Sequence, residues 1–224
     1  MSERETDHGP RSGTPTFVFG VSGHRDALVE DLPELTRRVQ TVFDRYRLAH
    51  PNTVFELLSP LAEGADRIAA EVALRAGLQL VVPLPMAQTD YEQDFAANES
   101  LQDFRRLLAA AASVFEVNSS NSQDRPSKYA AVGDYIARRC HVLILLWDGQ
   151  DNEKVGGTAW VKKRREYWEV LSKTGGSAPP VFGYAGTIQI ATPRRGNLDR
   201  RPKIEIIGDL PSPAPNQTEE RSKL

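Results

Sequence analysis

The chain has one cysteine, Cys140, among 224 residues. A single thiol cannot close an internal disulfide, which fits a reducing compartment, and its place at a helix end before an apolar strand argues for packing rather than reactivity. No apolar run approaches the roughly 18–20 residues that span a bilayer. The first fifteen residues, MSERETDHGPRSGTP, hold no hydrophobic signal region. No membrane span and a cytoplasmic location are therefore expected. Net charge is small as well: 28 basic against 30 acidic side chains leave −2. That balance gives no whole-protein electrostatic case for nucleic acid, which is not expected as a partner. The histidines, His8, His24, His50 and His141, lack metal-ligand spacing. No Gly-x-Ser-x-Gly elbow or Cys–His pairing supports nucleophilic hydrolysis. Neither a metal nor a cofactor is expected.

What the chain does have is alternation. Hydrophobic residues make up 40% and charged residues 26%, ordinary proportions for a globular core. Apolar runs at 16–21, 54–58, 78–84, 114–117 and 141–147 are continuous rather than alternating, as strands buried on both faces are. Between them the spacing predicts helices. Leu28, Leu32, Leu35, Val39, Val42 and Tyr46 line one face of a helix over 27–50, with Pro33 early and Pro51 just past its end. Further helices are predicted over 62–76, capped by Gly77, through 108–112, over 128–139, and from 157–158 to 173–176. Segments 187–191 and 203–207 add a late strand and an edge strand. The expected fold is α/β, a doubly wound, mainly parallel, Rossmann-like sheet in one domain. Its expected boundaries are a disordered tail over 1–15, the domain over 16–192, an edge-strand extension over 193–210 and a disordered tail over 211–224.

Sheets of this kind bind ligands at the carboxyl ends of their strands, and three strand ends here carry small residues with charge just beyond. In the first, Gly20, Ser22, Gly23, His24 and Arg25, the glycines allow close approach to an anion and the side chains add donors. The alternative is a tight turn with a solvated His and Arg. In the second, Ser59, Glu63, Gly64 and Asp66 open a helix; carboxylates there suit ribose hydroxyls, or simply complement the helix dipole. Glu63 is the weak catalytic candidate. The third joins Asp148 and Gly149 to Gly156, Gly157 and Thr158, a phosphate cradle at a helix start or an ordinary N-cap. The acidic run 90–103 reads as a solvated helix entry, since it lacks the glycine and spacing of a calcium loop. Trp147, Trp160 and Trp168 read as packing, and the basic clusters 162–165 and 194–203 as solvated surface.

Taken together, GVSGHRD at 20–26, SPLAEGADR at 59–67, YEQDF at 91–95 and LLWDG…GGTAW at 145–160 resemble the SLOG superfamily of Rossmann-like nucleotide-binding domains. That superfamily includes the Lonely Guy phosphoribohydrolases, the lysine-decarboxylase-like proteins, DNA-processing protein A, and sensor domains of bacterial defence proteins and some ion channels. The resemblance covers about residues 16–170 and implies a nucleotide ligand and a homodimer. Its hydrolase arm carries Pro-Gly-Gly-x-Gly-Thr-x-x-Glu. Here Gly156 and Gly157 match the glycines, but Ala159, Trp160 and Val161 follow Thr158, with no carboxylate before Glu166. The arm's Arg-Lys pair would fall at Val132 and Gly133. The resemblance thus implies a retained phosphate cradle without the cleavage residues. The leading reading is a sensor or regulatory domain for a nucleotide or nucleotide derivative of the NAD or ADP-ribose kind, its identity open. The alternatives are a phosphoribohydrolase-like N-glycosidase, in which Glu63 assists, and an interaction module with a vestigial pocket.

Overall fold

Strand β1, Thr16–Gly23, lies at the centre of a seven-stranded sheet of order β4-β3-β2-β1-β5-β6-β7. Parallel neighbours flank it, β2 (Val54–Leu58) and β5 (Val142–Trp147). Beyond them lie β3 (Gln79–Leu84) and β4 (Ser113–Glu116) on one side and β6 (Gly186–Ala191) on the other. These pairings too are parallel; the short β7 (Ile206–Ile207) runs antiparallel to β6. The computed structural model describes residues 15–95, 97–118, 124–151, 154–174, 183–194 and 202–212. The expected disordered tails fall almost wholly outside these residues.

Parallel pairing requires crossovers, and helices supply them: α1 (Leu32–Ala49), α2 (Ala65–Arg75), α3 (Gln88–Tyr91), α4 (Asn98–Ala109), α5 (Arg125–Arg139) and α6 (Thr158–Lys173). The chain winds outward from β1 to β4, then returns through α5 to place β5 on the other side of β1. Alternate residues of the central strands face opposite layers. Phe19 and Val21 pack with Leu35 and Val39 of α1 and Ala69 and Ala73 of α2. Leu143 and Leu145 pack with Val132 and Ile136 of α5 and Val161 of α6. The fold is the expected doubly wound α/β sheet. Among the described residues no helix is long and apolar enough to cross a membrane.

Several element ends differ from expectation for local reasons. Helix α2 starts at Ala65 rather than 62, because Leu61 (φ 57°) and Gly64 (φ 76°) hold the backbone in the left-handed region. Helix α5 starts at Arg125, before the expected 128. Asp124 accepts the Ser127 N–H at 2.9 Å as an N-cap, and a proline occupies the first turn. Strand β1 runs on through Ser22 and Gly23, which register with Leu145 and Leu146 of β5. The Gly-Ser-Gly segment is therefore strand rather than turn.

Arg165 corrects the reading of 162–165 as solvated surface. Helical spacing sets it four residues after Val161 on the sheet-facing side of α6, and its side chain is fully buried. Its guanidinium donates to the carbonyls of Ala137 (3.1 Å), Cys140 (2.6 Å), His141 (2.6 Å) and Gly186 (3.2 Å), and to Glu169 Oε1 (2.7 Å). The Tyr184 ring lies 3.9 Å from Cζ. One cation thus ties the end of α5 to the starts of β5 and β6. Burial pushes the Cys140 thiol up to about 11, as suits an inert packed cysteine. Replacing Arg165 with Met would remove its donors from these buried carbonyls, of which that of His141 keeps the Ala185 N–H at 2.8 Å, and should cost roughly 3–5 kcal/mol of stability. Denaturant unfolding measures this, and a loss within experimental error would show the clamp to be dispensable.

Candidate functional site

The winding reverses between β1 and β5. The chain leaves β1 toward β2 and leaves β5 toward β6, so the loops beyond these two strand ends diverge and open a crevice. Helices α2, α5 and α6 each follow a strand and so begin at this end of the sheet.

Glycine brings the first helix start close. A Cβ on Gly23 would lie 2.4 Å from Ala65 Cβ and 2.5 Å from the Leu146 carbonyl oxygen. One on Gly64 would lie 2.4 Å from the His24 carbonyl oxygen. With neither present, the Ala65 N–H donates to the His24 carbonyl at 2.9 Å, and the His24 N–H donates to Leu146 at 3.0 Å. The His24 ring is thereby turned to β5. Its Nε2 accepts the Asp148 backbone N–H at 3.0 Å and stands 3.0 Å from Asp148 Oδ1. Oδ1 in turn accepts the Gln150 N–H at 2.9 Å. Gly149 turns with φ 85°, and a Cβ there would lie 3.7 Å from the Gln189 side-chain nitrogen.

Arg25 is exposed, and among the described residues its guanidinium makes no hydrogen bond or ion pair. It lies over the Tyr129 ring, 5.7 Å from the centroid. Tyr129 stands in the second turn of α5, and the Gly156 backbone passes beside it. A Cβ on Gly156 would lie 3.2 Å from Tyr129 Cβ and 3.1 Å from the Ala130 nitrogen, and its φ is 76°. Gly157 follows as the N-cap of α6, with no side-chain cap, and the buried Thr158 is the first helical residue. The first and third strand ends therefore meet through Tyr129.

Asp66, in the first turn of α2, is buried, and burial pushes its carboxyl up to about 7. Attraction to Arg25, a hydrogen bond from the Ala62 backbone and attraction to Arg67 oppose that rise. It is the strongly perturbed carboxylic acid of the crevice.

Other expected site residues have different work. Gly20 lies within β1, where a Cβ would come 2.6 Å from Ile136 Cγ2 and 2.9 Å from Cys140 Sγ. It admits α5 to the sheet rather than a phosphate to the backbone. Ser22 shares that face, toward α5, by strand alternation. Ser59 is fully buried; its Oγ donates to the Asp66 carbonyl (3.1 Å) and accepts the Leu61 N–H (3.3 Å), bracing the turn before α2. Glu63 accepts the Ser100 hydroxyl from the first turn of α4. Val132 and Gly133, where the resemblance would set an Arg-Lys pair, lie against α6: Val132 is buried, and a Cβ on Gly133 would come 2.8 Å from Val161.

Sequence reasoning missed Arg125 and Tyr129, and it read Asp94 as part of a solvated acidic run. Asp94 accepts Arg125 Nη1 at 2.8 Å and the Tyr129 hydroxyl, and Arg125 Nη2 donates to the Asp90 carbonyl at 2.9 Å. The acidic run is therefore partly spent on arginines rather than on solvent: Glu92 pairs with Arg105 and Asp103 with Arg106. The spacing of Arg125 and Tyr129 by four was visible, but their partner lies 31 and 35 residues away.

No protein-family model matches the chain, and no curated protein matches it. Two of the solved structures that resemble it in fold are versions of one protein. One is DNA processing protein A (DprA) from Streptococcus pneumoniae, at TM-score 0.47 and 15% identity, covering 69% of this chain and 47% of that one. The chain thus spans about half of that protein's length. The other is DNA processing protein A from Helicobacter pylori, at TM-score 0.43 and 15% identity, covering 74% of this chain and 75% of that one. The latter structure is described by its unique single-stranded DNA binding mode. The expectation that nucleic acid is not a partner is therefore withdrawn, and neither likeness supports the expected homodimer.

The Asp66 environment makes stability depend on pH. The folded protein keeps this proton to about pH 7, whereas an unfolded aspartate releases it near pH 4. Its contribution is complete below about pH 4 and is lost as pH rises through about 7. Asp66→Asn keeps an oxygen for the Ala62 N–H and carries no charge. Relative to the parent it should gain about 1–4 kcal/mol between pH 4 and pH 8. Denaturant midpoints at the two pH values measure the gain; an equal difference at both would show that Asp66 ionises normally.

Proposed function

We propose that the crevice beyond β1 and β5 binds a nucleotide, with its phosphate between Arg25 and the start of α6 at Gly156, Gly157 and Thr158. One observation carries this reading: an exposed cation that makes no hydrogen bond or ion pair among the described residues converges, through Tyr129, on a glycine-opened helix N-terminus. Bare N–H groups, the positive end of a helix and a guanidinium are the donors a phosphate needs. The topological switch point, where open α/β sheets bind their ligands, supports the same place. Asp66 is the carboxyl nearest in kind to a ribose partner, since the Asp148 carboxylate is already engaged by Gln150 and His24. The motif resemblance supports placing the chain with the SLOG superfamily in a sensor or regulatory role. Glu63, through which glycosidic cleavage was to be assisted, is bound by Ser100, so we carry binding forward rather than turnover.

A free nucleotide and a nucleotide unit of a single strand offer the same phosphate and sugar. Isothermal titration against AMP, ADP-ribose, NAD, a cyclic dinucleotide and a short single-stranded oligonucleotide separates the two sources. Binding of a free nucleotide is the expected result; binding of the oligonucleotide alone assigns the crevice to a strand. Arg25→Ala should weaken the bound member by roughly 1.5–3 kcal/mol, the range for a charge-assisted hydrogen bond. No binding by any member would overturn the proposal in favour of a vestigial pocket. An unchanged affinity in Arg25→Ala would remove Arg25 from the site.

A further inference from the structure

Two polar side chains at the crevice are buried and short of partners. Tyr91, the last residue of α3, is 1% exposed, and among the described residues its hydroxyl makes no hydrogen bond. Its ring is held edge-on by Phe95 and Phe104, at centroid distances of 5.1 and 5.6 Å. Asp66 is 5% exposed, and its carboxyl has the Ala62 backbone N–H and no other hydrogen bond among the described residues. Buried polar groups left unpaired cost stability, and native proteins keep few of them. Neither oxygen is among the atoms fully shut off from solvent without a partner, so the little surface that each residue exposes includes its unpaired oxygen.

Both groups stand beside the proposed phosphate position. A Cβ on Gly64 would lie 2.6 Å from the Arg25 carbonyl oxygen, so the start of α2 rests on the Arg25 backbone, with Asp66 two residues on. The rings of Tyr91 and Tyr129 are 6.3 Å apart, and Arg25 lies over the second. The Tyr129 hydroxyl is taken by Asp94, which leaves that of Tyr91. Charge gives the same placement: burial raises the Tyr91 phenol, Asp66 adds to the rise and Arg25 opposes it. The phenol therefore keeps its proton, and Asp66 keeps its own up to about pH 7. Each group can then both donate and accept.

We infer that Asp66 and Tyr91 form the sugar subsite of the crevice, taking the 2′ and 3′ hydroxyls of a ribonucleotide, so that the site prefers ribose to deoxyribose. This assignment rests on the crevice being a phosphate site and names the sugar that the phosphate brings with it. Neighbouring hydroxyls on a ribose each donate and accept, as the carboxylic acid and the phenol do, so either pairing closes both bonds. A second phosphate suits the pair poorly, because the carboxyl repels it once ionised. A base edge lies farther off, since the phosphate is joined directly to the sugar and the base stands across the ring from it. A deoxy analogue leaves one buried oxygen unpaired again. Sites built around a substrate hydroxyl reject the analogue that lacks it far more strongly than an apolar pocket rejects a missing methylene.

Calorimetric titration with AMP, 2′-deoxy-AMP and 3′-deoxy-AMP tests the assignment. Each deoxy form is expected to bind about tenfold or more weakly than AMP. Tyr91→Phe removes a single oxygen and should bring one of the two deoxy forms to within about twofold of AMP, since the lost hydroxyl then has no partner to miss. Equal affinities of the three nucleotides in the parent would remove the sugar subsite and leave the phosphate reading standing, and so would penalties that Tyr91→Phe does not change. Failure of all three, and of ribose 5-phosphate, to bind would overturn both. A measurement without ligand adds an independent check. Because the Tyr91 hydroxyl bonds nothing within the protein, Tyr91→Phe should leave the denaturant midpoint unchanged. A clear loss of stability would show that oxygen to be engaged internally and would overturn the inference.

Discussion

The contact on which the rest of the crevice depends is the seating of α2 on the end of β1. Gly23 and Gly64 face positions where a single added carbon would come within 2.4 Å of another atom. Glycine costs conformational entropy on folding, and two are spent here to bring a helix start against a strand end. Three consequences follow. The hydrogen-bond ladder between β1 and β5 continues one step past the strand, to His24. The His24 side chain is delivered to Asp148, the residue just past β5. The first turn of α2 is buried, and Asp66 with it. The perturbed acid and the bridging histidine are thus products of one backbone approach.

The opposite end of the sheet is fixed by a different device. Arg165 gathers carbonyls from the last turn of α5 and from the starts of β5 and β6. A buried cation is well placed there, since a helix C-terminus presents negative partial charge. Helix α5 is held along its length as well, by Gly20 beneath Ile136 and by Gly133 against Val161. It is clamped at its far end and through its middle. The position of Tyr129 at the crevice is accordingly set by contacts remote from it. Asp94 and Arg125 then fix the ring's hydroxyl end.

The sheet was readable in the sequence because strands buried on both faces are continuous apolar runs. Val54–Leu58 matches its expected span, and the other strands shift by only a residue or two except where β7 shortens. The glycines were harder. The same residue type serves a phosphate approach and a helix approach, and sequence does not show which body fills the space. Gly20 and Gly156 look alike in one dimension; the first lies under α5 and the second beside Tyr129 at the crevice. Polar residues misled for a related reason, because their partners are remote. Ser100 is 37 residues from Glu63, and Asp148 is 124 residues from His24. No local periodicity reports such pairs. Arg165 shows the limit of charge as a guide to exposure: its helix face marked it as inward, but its charge argued otherwise.

The charges around the crevice bear on the proposed anion site, which several acids border. Asp94 is neutralised by Arg125 and hydrogen-bonded by Tyr129. The Asp148 carboxylate is bonded by Gln150 and sits against His24. Burial keeps Asp66 protonated up to about pH 7. Each of these three carboxylic acids is thus paired, bonded or discharged. Arg25 is left exposed with no hydrogen bond or ion pair among the described residues, and the starts of α2, α5 and α6 add positive partial charge at the same end. Loss of the Asp66 proton as pH rises would add negative charge beside Arg25 and weaken that balance.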